Sequence, residues 1–320
     1  MRKQIAIIIF LGLALVVSVY FNLNLQKQNQ NSCLDLYKYI NPDLNCDEDP
    51  TSATVSLKKS VEEVVSTNIS LKKADKVSIF YRDLVNRQWF GINENDSFSP
   101  ASLLKLPLAI ALYKVAQVDP SVLDKQLKID KSNFENLYNI HNIKPEVELK
   151  ENSTYSVEDL IEHMLKYSDN VALVTLSSSI NKDFLNMVYK DLGVSLPLSY
   201  GKNQDFVSVK TYGSIMRVLF NASYLNQDLS NKLLQIMSQS KFKEGIVAGV
   251  PEKVGVSSKF GERTFFDVNN NKIDKVELHD CGIIYDERGA YSICVMTEGK
   301  DYESLTSVIA NVSKVVYSNR

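Results

Sequence analysis

Apolar and polar positions divide the chain into three regimes. An uncharged apolar run of 17 residues from Ile5 to Phe21 is followed by a stretch rich in Asn, Gln, Asp and Ser from Asn22 to about Ala53. That stretch cannot bury enough apolar surface to offset the entropy of ordering, so 22–53 is expected to be a polar tether ahead of a folded domain at 54–320. Within the domain the periodicity changes several times. Ser60 to Ser66 reads as helix, and Val77 to Leu84 and Gln88 to Ile92 flank Val85-Asn86-Arg87 as a hairpin. Between Tyr155 and Leu165 the apolar residues Val157, Leu160, Ile161, Met164 and Leu165 recur with helical period. Strands are expected at Val256 to Phe260, Cys281 to Tyr285 and Tyr291 to Met296, and a last helix at Asp301 to Tyr317. Strands at both ends enclosing helices predict an α/β fold of the α+β kind: an antiparallel sheet covered by helices, plus a helical lobe, with a cleft between them. There is no internal repeat.

The first regime bears on location. Arg2 and Lys3 precede the apolar run, and its exit, Val19-Tyr20-Phe21-Asn22, lacks the small residues of a cleavage site. The expectation is an uncleaved transmembrane signal anchor at 5–21 with a cytoplasmic tail at 1–4, making the protein a single-pass cell-membrane protein whose catalytic domain is extracytoplasmic. A lipid anchor at Cys33 is the lesser alternative, because Gln30-Asn31-Ser32 before it is polar.

Composition narrows the function classes. The 320 residues are 44% hydrophobic and carry a net charge of −2, enough apolar content for one large domain or two small ones and no cationic excess for nucleic acid. His141, His163 and His279 lie far apart without paired Cys spacing, so neither a metal nor another cofactor is expected and the histidines read as ordinary surface or core residues.

Three short motifs carry the candidate chemistry. Ser102-Leu103-Leu104-Lys105 puts a hydroxyl and an amine on one helix face inside an apolar frame of Leu103, Leu104, Leu106, Leu108 and Ile110, which suits a serine activated by a lysine of depressed pKa. Tyr167-Ser168-Asp169-Asn170, at or just beyond a helix end, offers a second hydroxyl and an amide. Ser258-Lys259-Phe260-Gly261-Glu262 reads as a strand with a second cation and an approachable backbone edge. Taken singly, Lys259 could be a surface strand lysine, Asn170 a helix cap and Ser168 a turn residue.

Taken together and in this order, the motifs resemble those of the class A β-lactamase family among the penicillin-recognising serine enzymes, from about Ser56 to the C-terminus. Tyr155 to Leu160 and Gly249-Val250-Pro251 resemble that family's lead-ins. A competing Lys253-Val254-Gly255 is set aside because the family's proline precedes the motif by several residues, and Pro251 is two before Lys253 but eight before Lys259. The resemblance implies a β-lactamase/transpeptidase-like fold and an acyl-enzyme on Ser102. Lys105 would be its base, Ser168 the proton donor to the leaving nitrogen and Lys259 the source of a positive field. Asn170 would hold the substrate amide, the backbone N–H groups of Ser102 and Glu262 the oxyanion, and Gly261 would let the strand come close. The implied partners are a β-lactam or a D-alanyl-D-alanine end of cell-wall peptide. Alternatives are a carboxypeptidase or transpeptidase of the cell wall, or a non-hydrolysing penicillin-binding sensor or scaffold.

Two departures qualify the resemblance. Phe260 replaces the hydroxyl residue in the middle of the third motif. Between Val171 and Lys243 every acidic residue is an aspartate (Asp183, Asp191, Asp205, Asp228), so the glutamate that directs the deacylating water is missing, and the loop expected at Ser195 to Tyr200 holds no carboxylate.

Of Cys33, Cys46, Cys281 and Cys294, the last two lie equally far from Glu287-Arg288. A two-residue turn there makes them direct partners with Cα atoms ~4.5 Å apart, within disulfide range. Two buried thiols are the alternative, one register slip away.

Overall fold

The computed structural model describes residues 4, 12, 17–20, 50–130, 147–197, 205–267, 269 and 272–320. Thr51 starts the first helix of the folded unit, Pro50–Arg320, by accepting a hydrogen bond from the Thr54 N–H through its side chain. This helix, α1, spans Ser52–Ser70, longer than the Ser60 to Ser66 stretch expected. Next come β1 (Lys76–Asp83), β2 (Trp89–Ile92) and β3 (Ser97–Phe98), then a 3-10 turn at Ala101–Leu104 that runs directly into α2 (Lys105–Ala116). Ten of the twelve α2 residues are buried, so this helix is the centre of the helical lobe. Strands β4 (Gln126–Lys128) and β5 (Thr154–Ser156) lead to α3 (Val157–Lys166), α4 (Asn170–Ser179) and α5 (Lys182–Asp191). Ser156 and Asp159 form a reciprocal capping box at the start of α3, and its apolar stripe is the one with helical period in the sequence. The chain continues through β6 (Val207–Ser208), α6 (Val209–Phe220), α7 (Gln227–Ser238), β7 (Gly255–Phe266), β8 (Ile273–Asp286), β9 (Gly289–Gly299) and α8 (Tyr302–Asn319).

The main sheet has the order β2-β1-β9-β8-β7, with every pair antiparallel. Alternation along the strands divides the core in two. Ile79, Tyr81, Leu278, Ile284, Ile293 and Val295 pack with Leu57, Val61 and Val65 of α1 and with Leu305, Val308 and Val312 of α8. Phe80, Cys281, Ile283, Cys294 and Met296 face the helical lobe built around α2. The expected architecture, an antiparallel sheet covered by helices with a helical lobe, is the one the chain adopts. Its consequence for chemistry is that β7 is an edge strand, with one edge free of sheet partners among the described residues.

The membrane expectation is corrected. Among the described residues no helix is long and apolar enough to cross a membrane, which removes the signal anchor at 5–21, the membrane as partner and the single-pass location. Residues 17–20 are helical and exposed, while the rest of 5–21 except Gly12, together with 22–49, lies outside the described residues. The physical shortfall is one of length. Seventeen residues rise only ~26 Å, less than the ~30 Å hydrocarbon core, and polar residues close the run on both sides.

The β8–β9 hairpin turns through Glu287-Arg288, with Asp286 opposite Gly289, whose φ of +115° a side chain would resist. This register sets Cys281 opposite Cys294, and the two form a disulfide with Cα atoms 3.9 Å apart; Cys33 and Cys46 lie outside the described residues. Peptide mapping without reduction should recover residues 281 and 294 in one linked species. The Cys281→Ala/Cys294→Ala double variant should lose about 2–3 kcal/mol of stability in urea unfolding. Free thiols at both positions in the native protein would contradict the pairing.

Candidate active site

Three separate segments meet where the 3-10 turn, the α3–α4 junction and the edge strand converge. Ser102 lies in the turn and Lys105 is the first residue of α2, so the change from 3-10 to α-helix brings the two side chains together. The Lys105 ammonium nitrogen lies 2.9 Å from Ser102 Oγ and 3.0 Å from Ser168 Oγ, and it donates to the Ser168 carbonyl. Ser168 follows the end of α3 with a left-handed φ of +57°, and that conformation turns its hydroxyl and carbonyl toward one amine. From the other side, Lys259 Nζ donates to Ser168 Oγ at 2.9 Å and to the Phe260 carbonyl at 2.8 Å. Ser102, Lys105, Ser168 and Lys259 thus form one cluster, and both lysines are fully buried.

Burial dominates the electrostatics. It pushes Lys105 well below its ordinary value, aided by the charge of Lys259 and opposed by Asp169 and Glu262. Burial also brings Lys259 down to about 7 against the pull of Asp280 and Glu262. Asp280, buried on the strand beside it, is pushed up to about 7 by desolvation although it accepts the Ile246 N–H at 2.9 Å. A neutral Lys105 here can accept a proton from Ser102, which an ordinary surface lysine at neutral pH cannot do.

The other expected residues take distinct places. Asn170 is the first residue of α4, and it is Asp169, not Asn170, that caps the helix by accepting the N–H groups of Val171 and Ala172 at 2.7 and 3.1 Å. Burial would raise the Asp169 carboxyl, but His163 at 3.9 Å and those N–H groups hold it below its ordinary value. At Gly261 a β-carbon would come within 3.1 Å of Leu103 Cγ and the Pro100 carbonyl, so glycine lets β7 press against the turn. Glu262 follows on β7, buried on the face turned toward Tyr302. Phe260 packs into the core under α8, its ring centroid 4.5 Å from that of Phe242, while Lys259 Nζ lies 4.2 Å from its ring centroid and bonds its carbonyl, so the residue brings no side-chain hydroxyl to the cleft. Lys253, the competing lysine, is exposed and faces Glu287. Among the described residues no cluster of metal-ligating side chains occurs.

A further set of residues has no motif in the sequence. Ser99, three residues before Ser102, is held at every polar atom. Its N–H donates to Glu277 Oε2 at 3.1 Å, its carbonyl accepts from His279 Nε2 at 2.9 Å, and its hydroxyl accepts from Arg263 at 2.6 Å. Tyr212 of α6 donates to the Leu103 carbonyl at 3.1 Å. His279, read from sequence as an ordinary residue, is fully buried edge-on to Phe98 and serves as this anchor. These clamps surround Ala101, whose φ is +46°. His141 lies outside the described residues.

Comparisons with known proteins agree with the fold. The Beta-lactamase enzyme family matches residues 56–319. PBP-A is similar at TM-score 0.65 and 20% identity, over 85% of this chain and 97% of that one. A PBP-A variant solved as an acyl-enzyme complex with penicillin G gives 0.64 and 18%, over 82% and 96%. A beta-lactamase from Sphaerobacter thermophilus gives 0.67 and 19%, over 80% and 95%. No curated protein matches. At these identities the solved structures speak for the fold alone.

The Ser99 clamp makes a prediction about acid. Burial would raise the Glu277 carboxyl, yet the hydrogen bond and charge of His279 and the charge of Lys275 hold it below its ordinary 4.5. A depressed carboxyl contributes stability that is complete above the unfolded value and is lost as pH falls through the lower folded value. Glu277→Gln should therefore be less stable by about 2–3 kcal/mol at pH 7 and should lose less than the wild type on acidification below 4.5. Parallel urea curves at neutral and acid pH would check this; equal acid sensitivity in both proteins would count against it.

Proposed function

The chain belongs to the beta-lactamase enzyme family, and from that premise we propose that it is a class A-like serine acyl hydrolase, forming an acyl-enzyme on Ser102 with β-lactams or D-alanyl-D-alanine peptide ends. The observation that carries this reading is the position of Lys105 Nζ between the hydroxyls of Ser102 and Ser168, in a site where burial favours the neutral amine.

A proton inventory supports it. Neutral Lys105 has two N–H donors for Ser168 and one lone pair for the Ser102 proton, while charged Lys259 donates to Ser168 Oγ and the Phe260 carbonyl. Ser168 Oγ then accepts twice, and its own proton is left for a substrate. Ser102 Oγ attacks the carbonyl carbon as its proton passes to Lys105. The C–N bond breaks as Ser168 gives its proton to the departing nitrogen, and Lys105 returns a proton to Ser168. Lys259 keeps the region positive, Asn170 holds the substrate amide, and the backbone N–H groups of Ser102 and Glu262 receive the oxyanion, where Gly261 permits the close approach.

Deacylation is the weaker half. With no glutamate between the second and third motifs, attack of water loses an acid–base contribution typically on the order of 10²–10⁴-fold. Asp205 is no replacement. Burial and Glu277 raise its carboxyl, and the other charges acting on it are Lys275, Glu298 and Lys76 rather than the lysines of the cleft. Residues 198–204, including the end of the loop expected at Ser195 to Tyr200, lie outside the described residues. The missing base is the observation that favours a second reading, in which a long-lived adduct serves a peptidase of the cell wall or a penicillin-binding sensor.

A fluorescent penicillin should label the wild type covalently, and Ser102→Ala should abolish the label; retained labelling would remove Ser102 from its role. Because acylation needs neutral Lys105, its rate should rise with pH through the lowered Lys105 value. Lys259→Met deletes a charge that helps to lower it, so this acid limb should move to higher pH. A limb that stays in place would argue against the coupling.

Intact mass followed in time should show one equivalent of penicilloyl adduct that decays slowly, with the decay unchanged in Asp205→Asn. Fast steady-state hydrolysis by the wild type would refute slow deacylation, and its loss in Asp205→Asn would identify the base.

A further inference from the structure

We propose that Arg263 selects substrates carrying an anionic group on their acyl side. The proposal rests on the reading that Ser102 is acylated. Along β7, residues at period two share a face. Ser257 donates to the Leu234 carbonyl, Lys259 to Ser168 Oγ, Gly261 lies against Leu103 beside the nucleophile, and Arg263 donates to Ser99 Oγ. The face therefore orders the reacting groups. Ser168 serves the departing nitrogen, so the Lys259 position marks the leaving-group side. Gly261 marks the carbonyl, and Arg263, ~7 Å further on at ~3.4 Å per residue, marks the acyl side.

The guanidinium is suited to an anion. It is partly exposed, and its central carbon lies over the Phe265 ring at 4.8 Å from the centroid, a ring it shares with Lys275 Nζ at 4.5 Å. Its described hydrogen-bond partner is a neutral hydroxyl, leaving donors for a bidentate contact with a carboxylate. Glu277 is opposite Arg263 in register, yet it pairs with Lys275 at 3.2 Å, lies 3.5 Å from His279 Nε2 and accepts the Ser99 N–H. Among the described residues Arg263 has no ion pair, and Lys275 takes Glu277 at 3.2 Å and Glu298 at 2.5 Å. With Phe260 turned into the core, Arg263 is the anion-recognising group that this strand offers beyond the nucleophile. The substrate class is an acyl donor with a carboxylate on its acyl arm, such as an acidic peptide or a carboxylated penicillin.

Two penicillins that differ by one carboxylate test this: benzylpenicillin and carbenicillin, whose side chain is the same phenylacetyl group bearing a carboxylate. Second-order acylation constants would be measured by intact mass for the wild type, Arg263→Gln and Arg263→Lys. The expected result is a carbenicillin-to-benzylpenicillin ratio that falls about tenfold in Arg263→Gln and less in Arg263→Lys. An equal fall for both penicillins would mean that Arg263 only holds Ser99, and an unchanged ratio would likewise overturn the proposal. A wild type acylated by benzylpenicillin with an unaltered ratio refutes this inference alone. Absence of any Ser102 adduct with both compounds refutes the acyl-enzyme reading and this inference with it.

Discussion

Two fully buried lysines bond to one serine hydroxyl, and much of the cleft follows from that constraint. Cations sharing an acceptor stand at most about 6 Å apart, and at an effective dielectric of about 20 their repulsion is about 3 kcal/mol. Desolvation adds to this, so the site favours one amine being neutral. Lys105, pressed by burial and by Lys259, is displaced furthest, whereas Lys259 has Asp280 and Glu262 to hold part of its charge. Placement thus favours the neutral form of an ordinarily charged side chain, and the surrounding packing offsets the destabilisation of holding it there.

That placement depends on the turn before α2. Ala101 at φ +46° and Ser168 at φ +57° are conformations that L-residues seldom adopt. They persist because neighbours over-determine them: Glu277, His279 and Arg263 grip Ser99, Tyr212 grips the Leu103 carbonyl, and Gly261 lets the strand press in from the side. Glu277 and His279 belong to β8, which also carries Cys281, two residues on and tied to Cys294. The covalent cross-link of the hairpin and the polar clamp on the nucleophile turn are thus adjacent positions on one sheet face, and rigidity in one is transmitted to the other by the strand itself.

Much of this was legible in the sequence where local chemistry announces itself. Ser102 and Lys105 are three residues apart, Ser168 sits after a strongly periodic helix, and Lys259 lies two residues before a glycine on a strand. The register of Cys281 and Cys294 follows from counting outward from a two-residue turn. Glu277 and His279 left no such trace, because they reach Ser99 across 178 and 180 residues of chain and a lone histidine in an alternating strand looks like any half-buried position. Arg263 was equally silent, since its role depends on which residues share its face of β7. The apolar N-terminal run does not become a span: among the described residues no helix is long and apolar enough to cross a membrane.

The replacement of a hydroxyl by Phe260 and the missing glutamate point in one direction when considered as physical changes. Acylation, in the proposed reading, draws on groups fixed by α2, the α3–α4 junction and β7, all seated in the two cores, so it tolerates change in the segment between α5 and β6. Deacylation needs a base delivered from that segment. There Phe206 is tied by its N–H to the Phe98 carbonyl, and the adjacent Asp205 answers to the charges around Glu277. In that reading, the absence of a glutamate between the second and third motifs leaves the first half-reaction intact and lengthens the life of its product. Phe260 meanwhile stands where the resembled family has a hydroxyl residue and packs against Phe242; in the proposed reading, charge is recognised further along the strand at Arg263. On the proposed reading, these two departures fit the chain to capturing an acyl donor rather than to destroying many in succession.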